Sequence, residues 1–159
     1  MQEVFEAEFR RLEEALKRLK RDANAKVVFL IDKNGQNIAA AGETENFDAT
    51  SLASLTAGNV AATDGLAKLI GEREFSVLFH EGQRDHIHIS IVARRAILLV
   101  IFDERSSLGL VRLRVKRASV ELKKVFDEMD ARNEPEVGVT EPSPFSEITD
   151  EDIDALFSE

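Results

Sequence analysis

Cysteine is missing from this 159-residue chain, and that one absence removes disulfide frameworks, thiolate zinc sites and thiol nucleophiles together. Long hydrophobic runs are missing as well. No stretch approaches the roughly 18–20 apolar residues that cross a bilayer. The opening MQEVFEAEFRRLEE is charged throughout, unlike the apolar centre of a signal peptide. The expected location is the cytoplasm. Glycine-rich nucleotide cradles of the GxxxxGK(S/T) or GxGxxG kind do not occur, a serine triad has no local signature, and there are no internal repeats. His80, His86 and His88, beside Glu81, bring together residue types that bind metal. However, His86 and His88 share one face of a strand, His80 is expected to point elsewhere, and no spaced set completes four-coordination. The sequence therefore predicts no catalytic residue, no metal and no cofactor.

The chain is long enough for a single core, since a domain of this size buries roughly 68–70% of its unfolded surface. Its formal net charge of −9 argues against general nucleic-acid binding, which selects for clustered positive charge. The charge is unevenly placed. Residues 131–159 carry −8, leaving −1 for the first 130 residues, while residues 105–124 carry a local +6. A near-neutral body thus holds a basic helix and ends in an acidic tail.

Phe5, Phe9, Leu12, Leu16 and Leu19 follow one another at steps of four and three, which predicts an amphipathic first helix ending near Asp22. Residues 25–32 (AKVVFLID) then read as a strand, Lys33-Asn34-Gly35 as a turn, and residues 36–41 as a second strand closing a hairpin. A second helix is expected from about Asp48 or Thr50, either of which suits the N-cap, to Ile70. Residues 75–80, 86–92 and 96–102 read as three more strands. A third helix follows Ser106-Ser107 and carries Val111, Val115, Ala118, Leu122, Val125 and Met129 on one stripe. The order α-β-β-α-β-β-β-α suits an α/β fold: one five-stranded antiparallel sheet between helices, the first and third on one side and the second on the other. Residues 1–130 form the expected domain. Beyond them, composition shifts to Asn, Pro, Glu, Gly and Ser, predicting a flexible acidic tail over 131–159.

The second helix lacks large polar side chains for about four turns. On a helical wheel Leu52, Leu55, Asn59, Ala62, Leu66 and Leu69 are expected to face inward. The opposite side is then Ala53, Ala57, Val60, Ala61, Asp64 and Lys68, with Ser54, Gly58, Ala61 and Gly65 on the flank. Gly58 and Gly65 each cost about 1 kcal/mol of helix propensity relative to alanine. A helix that tolerates this loss is expected to be packed on both sides. Alanine as a good helix former, or cover by the chain's own tail, is the plainer explanation; charge depletion at interface centres favours a protein interface.

The stretch SLASLTAGNVAATDGLAKLIGE (51–72), preceded by AKVVFLIDKNGQ (25–36) and followed by SSLGLVRLRVKRAS (106–119), resembles the roadblock/dynein light-chain family. That resemblance implies the roadblock fold and a homodimer joined edge to edge through its sheets with paired second helices. It also implies one bacterial Ras-like GTPase bound per dimer, whose GTP hydrolysis is accelerated in the control of cell polarity and motility, with the protein concentrated at a cell pole. It would place Ala57, Ala61, Asp64 and Lys68, together with Arg11, Arg112 and Arg117, at the GTPase. Ala53, Ser54, Gly58, Val60, Phe75 and Val77 would lie in the dimer interface. Activation is expected to come from favouring the competent conformation of the GTPase rather than from an inserted arginine, although Arg11, Arg112, Arg114 and Arg117 are exposed candidates for one.

Thr149 followed by Asp152, with Ile148 and Ile153 placed as a staple, predicts a short amphipathic helix over 148–157. Ile148, Ile153, Leu156 and Phe157 would dock it on the GTPase; the plain alternative is a solubilising tail. Two rival functions stand beside activation: a scaffold of the same fold that localises a GTPase or motor, and a small-molecule sensor or enzyme, against which the missing nucleophile set counts.

Overall fold

A computed structural model describes residues 2–139, with side chains described for residues 6–132. Helix α1 (Gln2–Asp22) buries Leu12, Ala15, Leu16 and Leu19, with Glu8 on the same stripe. Phe9, expected there, sits at the flank of that stripe and is 40% exposed. The chain reverses through Asn24, at φ 53, into β1 (Val27–Asp32) and β2 (Asn37–Gly42). In the hairpin turn the Asp32 carboxylate accepts hydrogen bonds from the backbone N–H groups of Asn34 at 2.8 Å and Gln36 at 3.3 Å. Gly35 takes φ +92, a left-handed conformation that glycine adopts without steric cost.

A short 3-10 turn at Thr44–Asn46, which the sequence did not predict, leads to helix α2 (Ala49–Leu69). Asp48 caps it: its carboxylate accepts from the Ser51 N–H at 3.1 Å and from the Ser51 hydroxyl at 2.7 Å. These hydrogen bonds hold the Asp48 carboxyl below its ordinary range. Three strands follow, β3 (Val77–Glu81), β4 (His86–Val92) and β5 (Ala96–Phe102). Ala93 and Arg94 take φ 55 and 60 in the tight turn between β4 and β5. Helix α3 (Leu108–Val139) opens where the Ser107 hydroxyl accepts from the Leu110 N–H at 3.2 Å.

The five strands form one antiparallel sheet in the order β2-β1-β5-β4-β3. Val27, Phe29 and Ile31 of β1, Ile89 of β4 and Ile97, Leu99 and Ile101 of β5 form one core with Ala53 and Val60 of α2. Alternation sends Val28, Leu30, Leu98, Val100 and His88 to the other face, and all five are buried there. Helix α1 packs against β1 and β2, and it shares a small cleft with α3, lined by Ala15, Leu19, Arg114 and Ala118 and closed by an Arg18–Glu121 ion pair. Of the expected α3 stripe, Val111, Val115, Ala118, Leu122 and Val125 are buried and Met129 is half-buried.

Two compact units are distinguished, Met1–Val125 and Phe126–Glu159. In the second, helical backbone continues to Val139, past Ala131, where the change in composition had placed the start of a tether. Ala131, Arg132 and Glu134 are good helix formers, and they carry the helix into the segment holding Pro135. The amphipathic helix expected over 148–157, with Ile148, Ile153, Leu156 and Phe157, lies outside the described residues.

Candidate partner-binding face

The inward stripe of α2 differs from the helical-wheel expectation. Its buried residues are Ala53, Thr56, Val60 and Ala67, whereas Leu55, Leu66 and Leu69 are 73%, 60% and 83% exposed. Both sides of this helix are apolar, so periodicity alone does not choose between them. Small residues decide it: Ala53 and Val60 let the helix axis approach the β-branched face of β1 and β5, where leucines would hold it off. Ala53 and Val60, expected in a dimer interface, are therefore core residues of the protomer itself. Leu52 and Asn59 stand at the edge of the stripe, half-buried, and Ala62 is exposed.

What α2 turns outward is a band of Leu55, Gly58, Ala62, Leu66 and Leu69, with Ile70 67% exposed at its end. A side chain added at Gly58 or Gly65 would meet nothing within 4 Å. The protomer's own packing does not require glycine at either position. Fully burying a leucine is worth about 1.5–3 kcal/mol, so three exposed leucines on one helix represent several kcal/mol of association free energy held unused.

The flanks of α2 are fixed differently. On one side Gly35 of the β1–β2 turn lies so close that an added Cβ would stand 3.3 Å from the Ser54 Cα and 3.6 Å from the Ala57 Cβ. Ala57 is consequently half-buried beside the turn, while Ala61 and Lys68 are exposed and Asp64 is half-buried on the same flank. Ser54 and Gly58 are exposed. On the other flank the Asn59 side-chain amide lies 3.2 Å from the His80 ring nitrogen, tying α2 to β3. Among the described residues that strand pairs only with β4, which leaves its outer backbone edge unpaired there. Phe75, which precedes it, and Val77 are 37% and 43% exposed.

The arginines fall elsewhere. Arg112 and Arg117 are exposed on α3 and Arg11 is exposed on α1; these two helices adjoin each other. Arg112 is near enough to His88 to depress its pKa, and the His88 side chain lies on the sheet face opposite α2. The structure thus brings Ala57, Ala61, Asp64 and Lys68 together and leaves Arg11, Arg112 and Arg117 across the sheet from them within one protomer. Sequence reasoning missed Leu55, Leu66 and Leu69 as outward residues. The readable signal was the spacing of Ala53, Val60 and Ala67 at seven, a row of small residues suited to close packing.

The histidines divide as expected. His86 packs against Phe102 at 5.2 Å between ring centroids and against Phe79 at 6.1 Å, on the same face as His88, while His80 faces α2. His88 is 1% exposed. Neither of its ring nitrogens, nor the Ser90 hydroxyl beside it, has a hydrogen-bond partner among the described residues. Among these residues no helix is long and apolar enough to cross a membrane.

Residues 11–102 match the family model of the Roadblock/LC7 domain. Among solved structures, Myxococcus xanthus MglB is 62% identical with a TM-score of 0.74, the match covering 76% of this chain and 90% of that one. The gliding protein MglB from Thermus thermophilus is 36% identical with a TM-score of 0.73, over 77% of this chain and 93% of its own. An MglB described in a tetrameric arrangement is 35% identical with a TM-score of 0.72, over 77% and 92% of the two chains. A comparison with curated proteins gave no match.

Proposed function

This chain belongs to the Roadblock/LC7 family, whose members regulate rather than catalyse, and on that premise we propose that it is a homodimeric activator of a bacterial Ras-like GTPase of the MglA type. One GTPase binds per dimer. The supporting observation is the uncovered α2 band, three leucines more than half exposed between glycines that the protomer's own packing does not need. Two copies joined at the open edge of β3 set their α2 bands side by side. The pair then offers a platform wider than either helix.

Hydrolysis of GTP is limited by positioning the attacking water and stabilising charge on the transferred phosphoryl group. A partner with no catalytic residue accelerates it by binding only the conformation in which the GTPase's own residues are aligned. Moving that equilibrium from 1:99 to 99:1 takes about 5.5 kcal/mol of preferential binding. The α2 platform contributes to that preference only through contacts made with the aligned conformation and not with the other. Arginine insertion from α3 is disfavoured by its place across the sheet from the α2 band. The Thermus thermophilus relative is described as a gliding protein, and the proposed setting is control of motility and polarity, with the protein held at a cell pole.

The test is a purified-component assay of GTP turnover with and without this chain, alongside light scattering. Wild type is expected to be dimeric and to raise turnover. Leu66→Glu, at an exposed position outside the core, is expected to keep the fold, weaken dimerisation at least about tenfold (about 1.4 kcal/mol), and lose stimulation. Binding of the GTPase without any rise in turnover would instead identify a localising scaffold.

A further inference from the structure

Beyond β3 the sheet has no further strand among the described residues, and the order of residues along that edge is complementary to itself. The Ile91 N–H donates to the Ser76 carbonyl at 3.1 Å, and Val77 pairs with Ser90. Backbone hydrogen bonding alternates in direction along an antiparallel strand. Ser76, Leu78 and His80 therefore turn their backbone groups to β4, and Val77, Phe79 and Glu81 turn theirs to the outer edge. Side chains alternate as well. Leu78 packs into the core shared with α2, which puts Val77, Phe79 and Glu81 on the other face. Carrying the same spacing backwards adds Phe75 and Arg73. The order along that face is then Arg-Phe-Val-Phe-Glu. Laid against its own reverse, it sets opposite charges at both ends, a phenylalanine pair inside each end, and valine on valine in the middle. Arg73 and Glu81 are exposed, and neither makes an ion pair among the described residues.

We infer that the edge of β3 accepts a second copy of this chain in one antiparallel register. Val77 lies on the two-fold axis, Phe75 lies against Phe79 of the second copy, and Arg73 lies against Glu81 of the second copy. This rests on the homodimer reading and specifies which residues meet in it. A slip that keeps the backbone ladder moves every partner by two residues. In one direction Phe75 falls beside Glu81 of the second copy and Arg73 opposite Gln83; in the other, Glu81 falls opposite Gly71. Either slip forfeits both ion pairs and both aromatic pairs. Aromatic and opposite-charge pairs across strands stabilise a sheet, and like charges directly opposite destabilise it, so the centred register is favoured.

The lack of native cysteine lets the register be read directly. Only a residue on the two-fold axis lies opposite itself, at the roughly 5.5 Å Cα separation of a hydrogen-bonded pair, a span that a disulfide bridges. Mild oxidation of the full chain carrying Val77→Cys is expected to give a disulfide-linked dimer. Phe79→Cys, whose two copies would lie about 13 Å apart along the strands, is expected to give little. Arg73→Glu and Glu81→Arg, each alone, set like charges opposite one another twice per dimer and are expected to weaken self-association about tenfold in sedimentation. An equimolar mixture of those two variants is expected to regain wild-type association, because every charged contact between unlike copies is then an opposite pair. A Val77→Cys dimer in light scattering that does not cross-link, or efficient linking through Phe79→Cys, overturns the register and leaves the homodimer standing. A mixture no tighter than either charge variant alone overturns the contact between Arg73 and Glu81. A monomeric wild type overturns the homodimer reading beneath both.

Discussion

At His88 the chain places an imidazole on a buried sheet face that also holds Val28, Leu30, Ser90, Leu98 and Val100, with Phe79 and Val100 as its cross-strand neighbours. Burial first, and the nearby Arg112 charge second, hold its pKa below the ordinary 6.5. An unfolded chain therefore takes up this proton at a pH where the folded one does not. The stability associated with His88 is whole above pH 6.5 and is lost as pH falls below it. Urea unfolding followed at about pH 7.5 and about pH 5.5 should show the lower midpoint at the lower pH, and His88→Leu should remove much of the difference. Equal slopes in both proteins would detach the effect from His88.

Among the elements, α2 is the one whose sequence and environment conflict unless something covers it. Gly58→Ala and Gly65→Ala each restore about 1 kcal/mol of helix propensity, and open space at both Cβ positions lets the protomer accept the methyl group. Melting of dilute protein is expected to move up while self-association measured by sedimentation weakens. A rise in both would mean that the glycines serve no close approach. At the other end of the same helix, Asp48→Ala removes a carboxylate that accepts two hydrogen bonds from Ser51, and thermal unfolding at neutral pH should fall by a few degrees. Because the Asp48 pKa is depressed, the wild-type advantage is present above the ordinary carboxylate value of 3.8 and disappears as pH drops through the folded one. Most elements were legible in the amino-acid pattern. Alternating and β-branched runs located all five strands, β4 and β5 to the residue, because cross-strand burial leaves a strong compositional mark. The rotation of α2 was not legible. Leucine is ordinarily the inward marker of a helix, and here alanine and valine take that role because the sheet beneath is already filled by isoleucine and phenylalanine. The extent of α3 was not legible either: a shift to Asn, Pro, Glu, Gly and Ser carries no helical period, yet helical backbone runs on to Val139.

For the molecule as a whole, the division of charge into a basic α3 and an acidic tail was plain in the sequence, but which surfaces they serve was not, since charge patterns carry no geometry. Deleting residues 145–159 is expected to weaken affinity for the GTPase in calorimetry while leaving the dimer intact, because the dimer proposed here uses only β3 and α2. Unchanged affinity would reduce the tail to a solubilising appendage. The free rim of β3 has one more consequence. Backbone groups along an unpaired strand carry no identity, and any sibling chain of the same fold presents the same ladder of donors and acceptors. A cell making several such proteins must sort them by side chain, and Phe75 and Val77 are where this chain would tell its own kind from its kin.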